Sequence, residues 1–454
     1  MTAIDVKKYL GRTTSSAPLA FFRVALGLML FAGVVRFWVK GWIHELYIVP
    51  KHHFPFYGFE FITTLGEFTY LLFAVCGAAA IFVALGFYYR MSIVALFLSF
   101  TYIELIDKST YLNHYYFISM ICLLMIFLPA HAWFSVDAYR NSRINSRTVP
   151  LWCVDSVKLF VCMIYLFAGL AKVNSDWLLH AQPLKIWLPA KNDLPLIGSL
   201  FNYIETAYVF SWMGCLYDLS IPFLLINRHT RLWAFVAVVI FHLLTAILFP
   251  IGMFPYIMIV TALIFFPEAF HKKTLQWIGH KLGSSSEFLN PEGEYSCHKT
   301  CSNLVVAIIA VFFLVQVALP LRHWMYPGEL FWTEQGYRFS WRVMLMEKAG
   351  YAQFTVEDRT GRKVVVNNGD FLTPLQEKMM ATQPDMIVQF ARILSRHFQD
   401  CGFQDPEVYV DSYVSVNGRL GRAMVDPATD LAKVEDSFYN KTWILPFDEK
   451  ISGF

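Results

Sequence analysis

The sequence predicts an α-helical polytopic membrane protein with about nine transmembrane helices and a C-terminal extracytoplasmic α+β domain. Three observations carry that expectation. Hydrophobic residues fill 56% of the 454 positions and charged residues only 16%, a balance too apolar for a soluble chain of this length. Apolar runs that approach the length of a bilayer-spanning helix, about 20 residues, recur as far as residue 321. After that point the composition becomes mixed, as in a globular segment. The net charge of +3, with no basic run, leaves no electrostatic footprint for nucleic acid.

The N-terminal segment carries Lys7, Lys8 and Arg12 ahead of the first apolar run and has no small-residue cleavage site, so it reads as a retained tail. Spans are expected at 18–38, 67–89, 91–106, 114–132, 151–171, 207–226, 232–249, 252–268 and 303–321. The third is short, and only the Pro250-Ile251-Gly252 corner separates the seventh from the eighth. Lys and Arg concentrate at the N-terminus, at Arg140, Arg143 and Arg147, and at Lys272, Lys273 and Lys281, which puts the N-terminus in the cytoplasm. An odd number of spans then puts the C-terminal part outside. Two domains follow, a transmembrane domain over 1–321 and an extracytoplasmic domain over 322–454. Residues 274–302 are polar and read as an inside linker. In the second domain, 353–357 and 363–367 flank a turn and predict a β-hairpin. Residues 375–398 have helical periodicity, and 407–417 alternate as a strand. No pair of Gly/Pro-broken spans in matching halves points to a transporter.

The eight cysteines form no visible disulfide framework, and Cys76, Cys122, Cys162 and Cys215 sit in apolar runs as small hydrophobes. Cys297 and Cys301, with His298 between them, lack the second half of a metal site, so no metal is expected.

Ionisable residues inside spans are costly and each needs an account. Arg23 and Lys158 lie near the inner face, where snorkelling suffices. Asp218 is too short to snorkel and is expected to pair with Arg or His inside the bundle. His242 is mid-span, where packing and hydrogen bonding to a ligand are equally open. The corner FPIGMFPYIM (249–258) suits helix packing and would also suit a flat apolar ligand. Asn113 and His114 sit where capping residues are ordinary, and Lys172 closes an apolar helix where a snorkelling lysine is ordinary. The loop charges put His114 and Lys172 on the same outer side.

These residues also lie in a set of segments that resembles a known family. IDKSTYLNH (106–114), WFSVDA (133–138), VPLW (149–152), YLFAGLAKVNSDW (165–177), LYDLS (216–220), the 241–258 segment, GYRFSW (336–341) and the segment from YVDSYVSVNGR to VDP (409–427) follow one another in the order of the vitamin K-dependent γ-glutamyl carboxylase family and its bacterial relatives. The resemblance implies a membrane enzyme of the carboxy-lyase class. Such enzymes oxygenate reduced vitamin K, of menaquinol or phylloquinol type, to the epoxide. The strong base so formed carboxylates glutamate side chains, with oxygen and carbon dioxide as co-substrates.

The family's base falls on Lys172 and its assisting residues on His114 and Asn113. Quinone-pocket positions fall on His242, Asp218, Met253 and Phe254, and the glutamate-substrate region on Tyr337 to Trp341. The partners implied are the lipid bilayer, a quinol and a glutamate-containing peptide or protein. For a bacterial source the expected location is the inner membrane. A lysine takes up a hydroquinone proton only as the neutral amine, so Lys172 must be sheltered from water.

Departures from the animal enzymes are visible. Ala171 stands where they have Lys beside the base. His52 and Ile393 lie near their bridging cysteines, so that disulfide is not expected. Their second lumenal section, tied to propeptide binding, does not follow Phe454, so propeptide recognition is not expected. Two other functions fit the same residues. One is quinol epoxidation without glutamate carboxylation. The other is a non-enzymatic quinone- or lipid-binding protein or a transporter, against which Lys172 and His114 weigh.

Overall fold

Apolar runs fold into helices because every main-chain polar group in lipid must be satisfied within the segment. The computed structural model describes residues 3–295 and 299–454. Cys297 and His298 lie outside the described residues, and with them the Cys297/Cys301 pairing. The bundle comprises α1 (Ala17–Val39), α2 (Thr69–Leu85), α3 (Tyr89–Leu105), α4 (Asn113–Phe127), α5 (Leu151–Ala171), α6 (Ile204–Ile226), α7 (Arg231–Leu248), α8 (Phe254–Ala262), α9 (Glu268–Lys281) and α10 (Lys299–Leu321).

The count of nine spans is not supported. Among the described residues six helices are long and apolar enough to cross a membrane, or seven if one bent pair counts as a span. Helices α3 and α4 have 17 and 15 residues, about 25 and 22 Å at 1.5 Å per residue. The expected eighth span is α8, followed by a 3-10 turn and a 112° bend into α9 at Phe266-Pro267. The polar stretch after it is structured, with α9 continuing to Lys281 and a short strand at 293–294.

Arg23 does not snorkel. It is fully buried, and its guanidinium donates to the main-chain oxygens of Val83, Ala84, Ala130 and Phe134, tying three segments together. Lys158 stays part-exposed beside Asp155 at 3.8 Å.

Two sheets mark opposite ends of the bundle. Strands β1 (Thr13–Ser15), β2 (Ser146–Pro150) and β3 (Gly293–Glu294) gather the start of α1, the start of α5 and the segment before α10 at one end. At the other end a four-stranded antiparallel sheet has the order β5-β4-β6-β7, with β4 Lys348–Glu357, β5 Lys363–Val365, β6 Glu407–Val416 and β7 Arg422–Ala423. The expected hairpin is β4–β5, and the expected strand is β6. The expected helix over 375–398 is two helices, α11 (Pro374–Met380) and α12 (Pro384–Asp400). Pro384 has no N–H to continue the helix, so the chain breaks ahead of it. Helix α12 lays its apolar face on β4, with Phe390 edge-on to Phe354 at 4.9 Å.

The segments after α1, α3 and α5 all bond to this C-terminal unit. Gln376 Nε2 donates to the His52 carbonyl and to Asp107 Oδ2, both at 2.8 Å. Lys108 pairs with Asp385 at 2.7 Å, and Asp176 pairs with Arg419 at 2.6 Å.

Candidate active site

The site lies where that unit meets the bundle, and helix packing brings its residues together. On α5, Gly169 lets α6 come close. A Cβ there would sit 2.8 Å from the Leu219 side chain and 2.9 Å from its main-chain nitrogen. This approach sets Lys172, the C-cap of α5, against Asp218 on α6. Lys172 Nζ lies 2.6 Å from Asp218 Oδ2 and 3.3 Å from the Ala168 carbonyl oxygen, and it faces the Trp177 ring at 5.4 Å. Lys172 is 7% exposed and Asp218 5%. Lys172 therefore does not reach water, and the partner of Asp218 is this lysine, not Arg or His. Gly169→Ala is expected to force the helices apart, with a cost of about 1–3 kcal/mol. Thermal unfolding of the variant in detergent measures it.

The polar exit after Lys172 is a docking site. The Asn174 side chain caps the next short helix by accepting from the Trp177 N–H at 2.9 Å. Asp176 accepts from Arg419 and from Asn417 Nδ2 at 2.7 Å. The Ser175 N–H donates to the Ser452 carbonyl at 2.7 Å.

His242, on α7, is 2% exposed. Its Nε2 lies 3.0 Å from the Tyr165 hydroxyl, while Nδ1 is buried without a partner. Lys172, Asp218, His242 and Tyr165 line one cavity of about 100 Å³ with Trp187, Phe241, Phe249 and Phe254. A larger cavity of about 680 Å³ is lined by His114, Asn113, Tyr337, Arg338, Arg342 and Glu334 among others. The two share Trp187, Phe249, Ile251, Phe254, Val343 and Met344. The 249–258 corner is thus the partition between them. Gly252, at φ +63°, takes the left-handed turn that brings this corner to His114. A Cβ on it would lie 3.8 Å from His114 Nε2.

Asn113 is held from both sides. Its Nδ2 donates to the Arg342 carbonyl at 2.9 Å, and its Oδ1 accepts from the Tyr111 hydroxyl at 3.1 Å. Met253 faces a third, smaller cavity that His114 also lines. Trp341 is not among the residues lining the larger cavity. It is 1% exposed and packs on Tyr116 and Phe160, and both Phe339 and Trp341 have positive φ in this segment.

Outside the membrane-spanning segments, Arg338 on the wall of the larger cavity shares the Asp385 carboxylate with Lys108. Burial alone would push the Asp385 carboxyl up, but Arg338 and Lys108 hold it well below the usual carboxylate range. Arg338 Nη1 donates to Asp385 Oδ2 at 2.8 Å, and Nη2 donates to Gln383 Oε1. Glu334 accepts from Lys348 at 2.7 Å.

Sequence reasoning missed two features. Asp176 as a docking residue carries no local signal, because its partner Arg419 is remote in sequence. Glu104, buried in α3, was visible as a charge in an apolar run and falls under the same rule that singled out Asp218.

Residues 11–270, more than half of the chain, match the family described as the HTTM domain. Residues 301–450 match the vitamin K-dependent gamma-carboxylase lumenal domain. No solved structure matches the chain. With both characteristic segments present in order, the chain belongs to the vitamin K-dependent gamma-carboxylase family.

Proposed function

We propose that the protein oxygenates a reduced vitamin K-type quinol to the epoxide and uses the base so generated to carboxylate glutamate side chains. The observation that carries this reading is the buried Lys172–Asp218 pair, set in an apolar cavity that shares a wall with a larger one, which carries Asn113, His114, Arg338 and Arg342 in a mostly apolar lining. We take residues 1–321 as the membrane domain and 322–454 as the extracytoplasmic domain, with a cytoplasmic N-terminus, on the loop-charge asymmetry.

The residues suit a flat apolar ring with hydroxyl groups. Phe241, Phe249, Phe254 and Trp187 offer aromatic faces, and the unpartnered Nδ1 of His242 offers one polar contact. When bound, the reduced quinone supplies, with oxygen, the base that removes a glutamate γ-proton before carbon dioxide adds. The chain's own residues manage protons and water. Transfer of a proton from Lys172 Nζ to Asp218 Oδ2 turns an ion pair into a neutral pair and leaves an amine lone pair for a hydroxyl proton. The apolar wall keeps competing water out. His114 and Asn113 stand across the partition, where the anchored Asn113 fixes the first turn of α4 and with it the His114 ring. Tyr337 lines the cavity that would receive the peptide, and Met253 and Phe254 shape the corner between the two ligands.

Purified protein given reduced vitamin K and air is expected to release the epoxide, and no epoxide would refute the reading. His242→Ala is expected to raise the KM for quinol about tenfold, the loss of one hydrogen bond at about 1.4 kcal/mol. Steady-state epoxide formation against quinol concentration measures it.

A further inference from the structure

Glu104, in the last turn of α3, is 4% exposed. Its Oε2 accepts from the Ser119 hydroxyl at 2.6 Å, while Oε1 is buried and meets no donor. Glu104 and His114 line the same small cavity of about 60 Å³. The remaining polar or titratable groups on its wall are Arg36, Tyr47, Cys76 and Tyr115, and the rest is apolar. Arg36 lies over the Trp42 ring at 4.7 Å. A water takes about 30 Å³ of liquid and needs at least two polar partners. The cavity therefore has room for one or two waters, and the polar groups on its wall that could hold them include the unpartnered Glu104 Oε1 and His114. His114 also lines the large cavity, so it stands between that cavity and Glu104.

We propose that Glu104 is the proton acceptor behind His114, reached through water in this small cavity. The imidazolium gives its N–H proton to the water, and the water gives one of its own protons to Glu104 Oε1. The ring becomes neutral, the carboxylate becomes a carboxylic acid and the water is regenerated. The proton enters at His114 from the larger cavity, which His114 lines and where the chemistry proposed above releases it, so the inference rests on the oxygenation reading above. Glu104 acts through His114 and is a positioning residue.

The test uses the full chain in lipid nanodiscs. Glu104→Gln keeps shape and removes the acceptor charge. It is expected to lower kcat for epoxide formation about tenfold or more with the KM for quinol unchanged, and Glu104→Asp is expected to recover part of the loss. An unchanged kcat, or a loss that falls on KM instead, overturns the proposal. Infrared spectroscopy of the quinol-free protein gives an independent reading. The Glu104 carboxyl band is identified by its shift in Ser119→Ala, and it is expected to shift again in His114→Gln. No response to His114→Gln overturns the proposal, whether or not Glu104→Gln folds. A response in a protein that makes no epoxide would leave the Glu104–His114 link standing and the oxygenation reading refuted.

Discussion

Lys172→Ala is expected to abolish epoxide formation from a reduced naphthoquinone while leaving the protein folded. Removing a general base costs about 10²–10⁴-fold in rate, and here no neighbour can replace it. Among the described residues the other ionisable groups on the wall of the small cavity are Asp218, His242 and Tyr165, and Asp218, once its lysine is removed, stands as a neutral acid that takes up no further proton. The fold should survive because the carboxylate left behind neutralises by taking a proton, which a deeply buried acid does in place of standing as an unpaired charge. Detergent-stable monodisperse protein with no epoxide is the expected outcome. Epoxide formation at the wild-type rate would sink the assignment of Lys172.

Asp385→Ala is expected to cost roughly 3–5 kcal/mol, because it strands two charges at the junction of the bundle and the C-terminal unit. Lys108 is almost fully buried and Arg338 nearly so, and both bond to this one carboxylate. The effect should concentrate on the docking of the C-terminal unit, and hydrogen exchange across 374–400 is expected to report it. The pH dependence has a definite sign. The Asp385 carboxyl is held below its ordinary value of 3.8, so its contribution is complete above that value and is lost as pH falls below it. Melting of the wild type should therefore lose this contribution only under acid, below about pH 4, and Asp385→Ala should lack that component of acid sensitivity. A melting curve that is equally acid-sensitive in the variant would contradict this role for the network.

Local patterns made part of this molecule legible in the sequence. Apolar runs marked α1, α2, α5, α6, α7 and α10, and the turn at 358–362 marked the β4–β5 hairpin. Period-two alternation marked β6. The short helices were overcounted as spans because composition does not show where a helix stops: α8 is apolar enough but bends away after Phe265. His242 could be singled out because a polar group in the middle of an apolar run is costly, and Lys172 and His114, ordinary at helix ends, stood out through the family resemblance. Their relations could not be read this way. The Lys172–Asp218 pair depends on a close approach of two helices at Gly169, which becomes visible only when Leu219 is seen against it. The family resemblance put Trp341 with Tyr337 in the substrate region, but only Tyr337 lines the larger cavity. Trp341 packs in the core against Tyr116 and Phe160, a contact between segments remote in sequence. The Asp176–Arg419 and Lys108–Asp385 contacts join segments more than two hundred residues apart, beyond the reach of any local pattern.

The most direct measurement gives purified full-length protein reduced vitamin K, oxygen, isotope-labelled bicarbonate and a glutamate-rich peptide, and scores both products together. The account expects vitamin K epoxide and labelled peptide in the wild type, and neither in Lys172→Ala. Epoxide with no label in the peptide would contradict glutamate carboxylation and leave only the oxygenation; absence of both from the wild type would contradict the account as a whole.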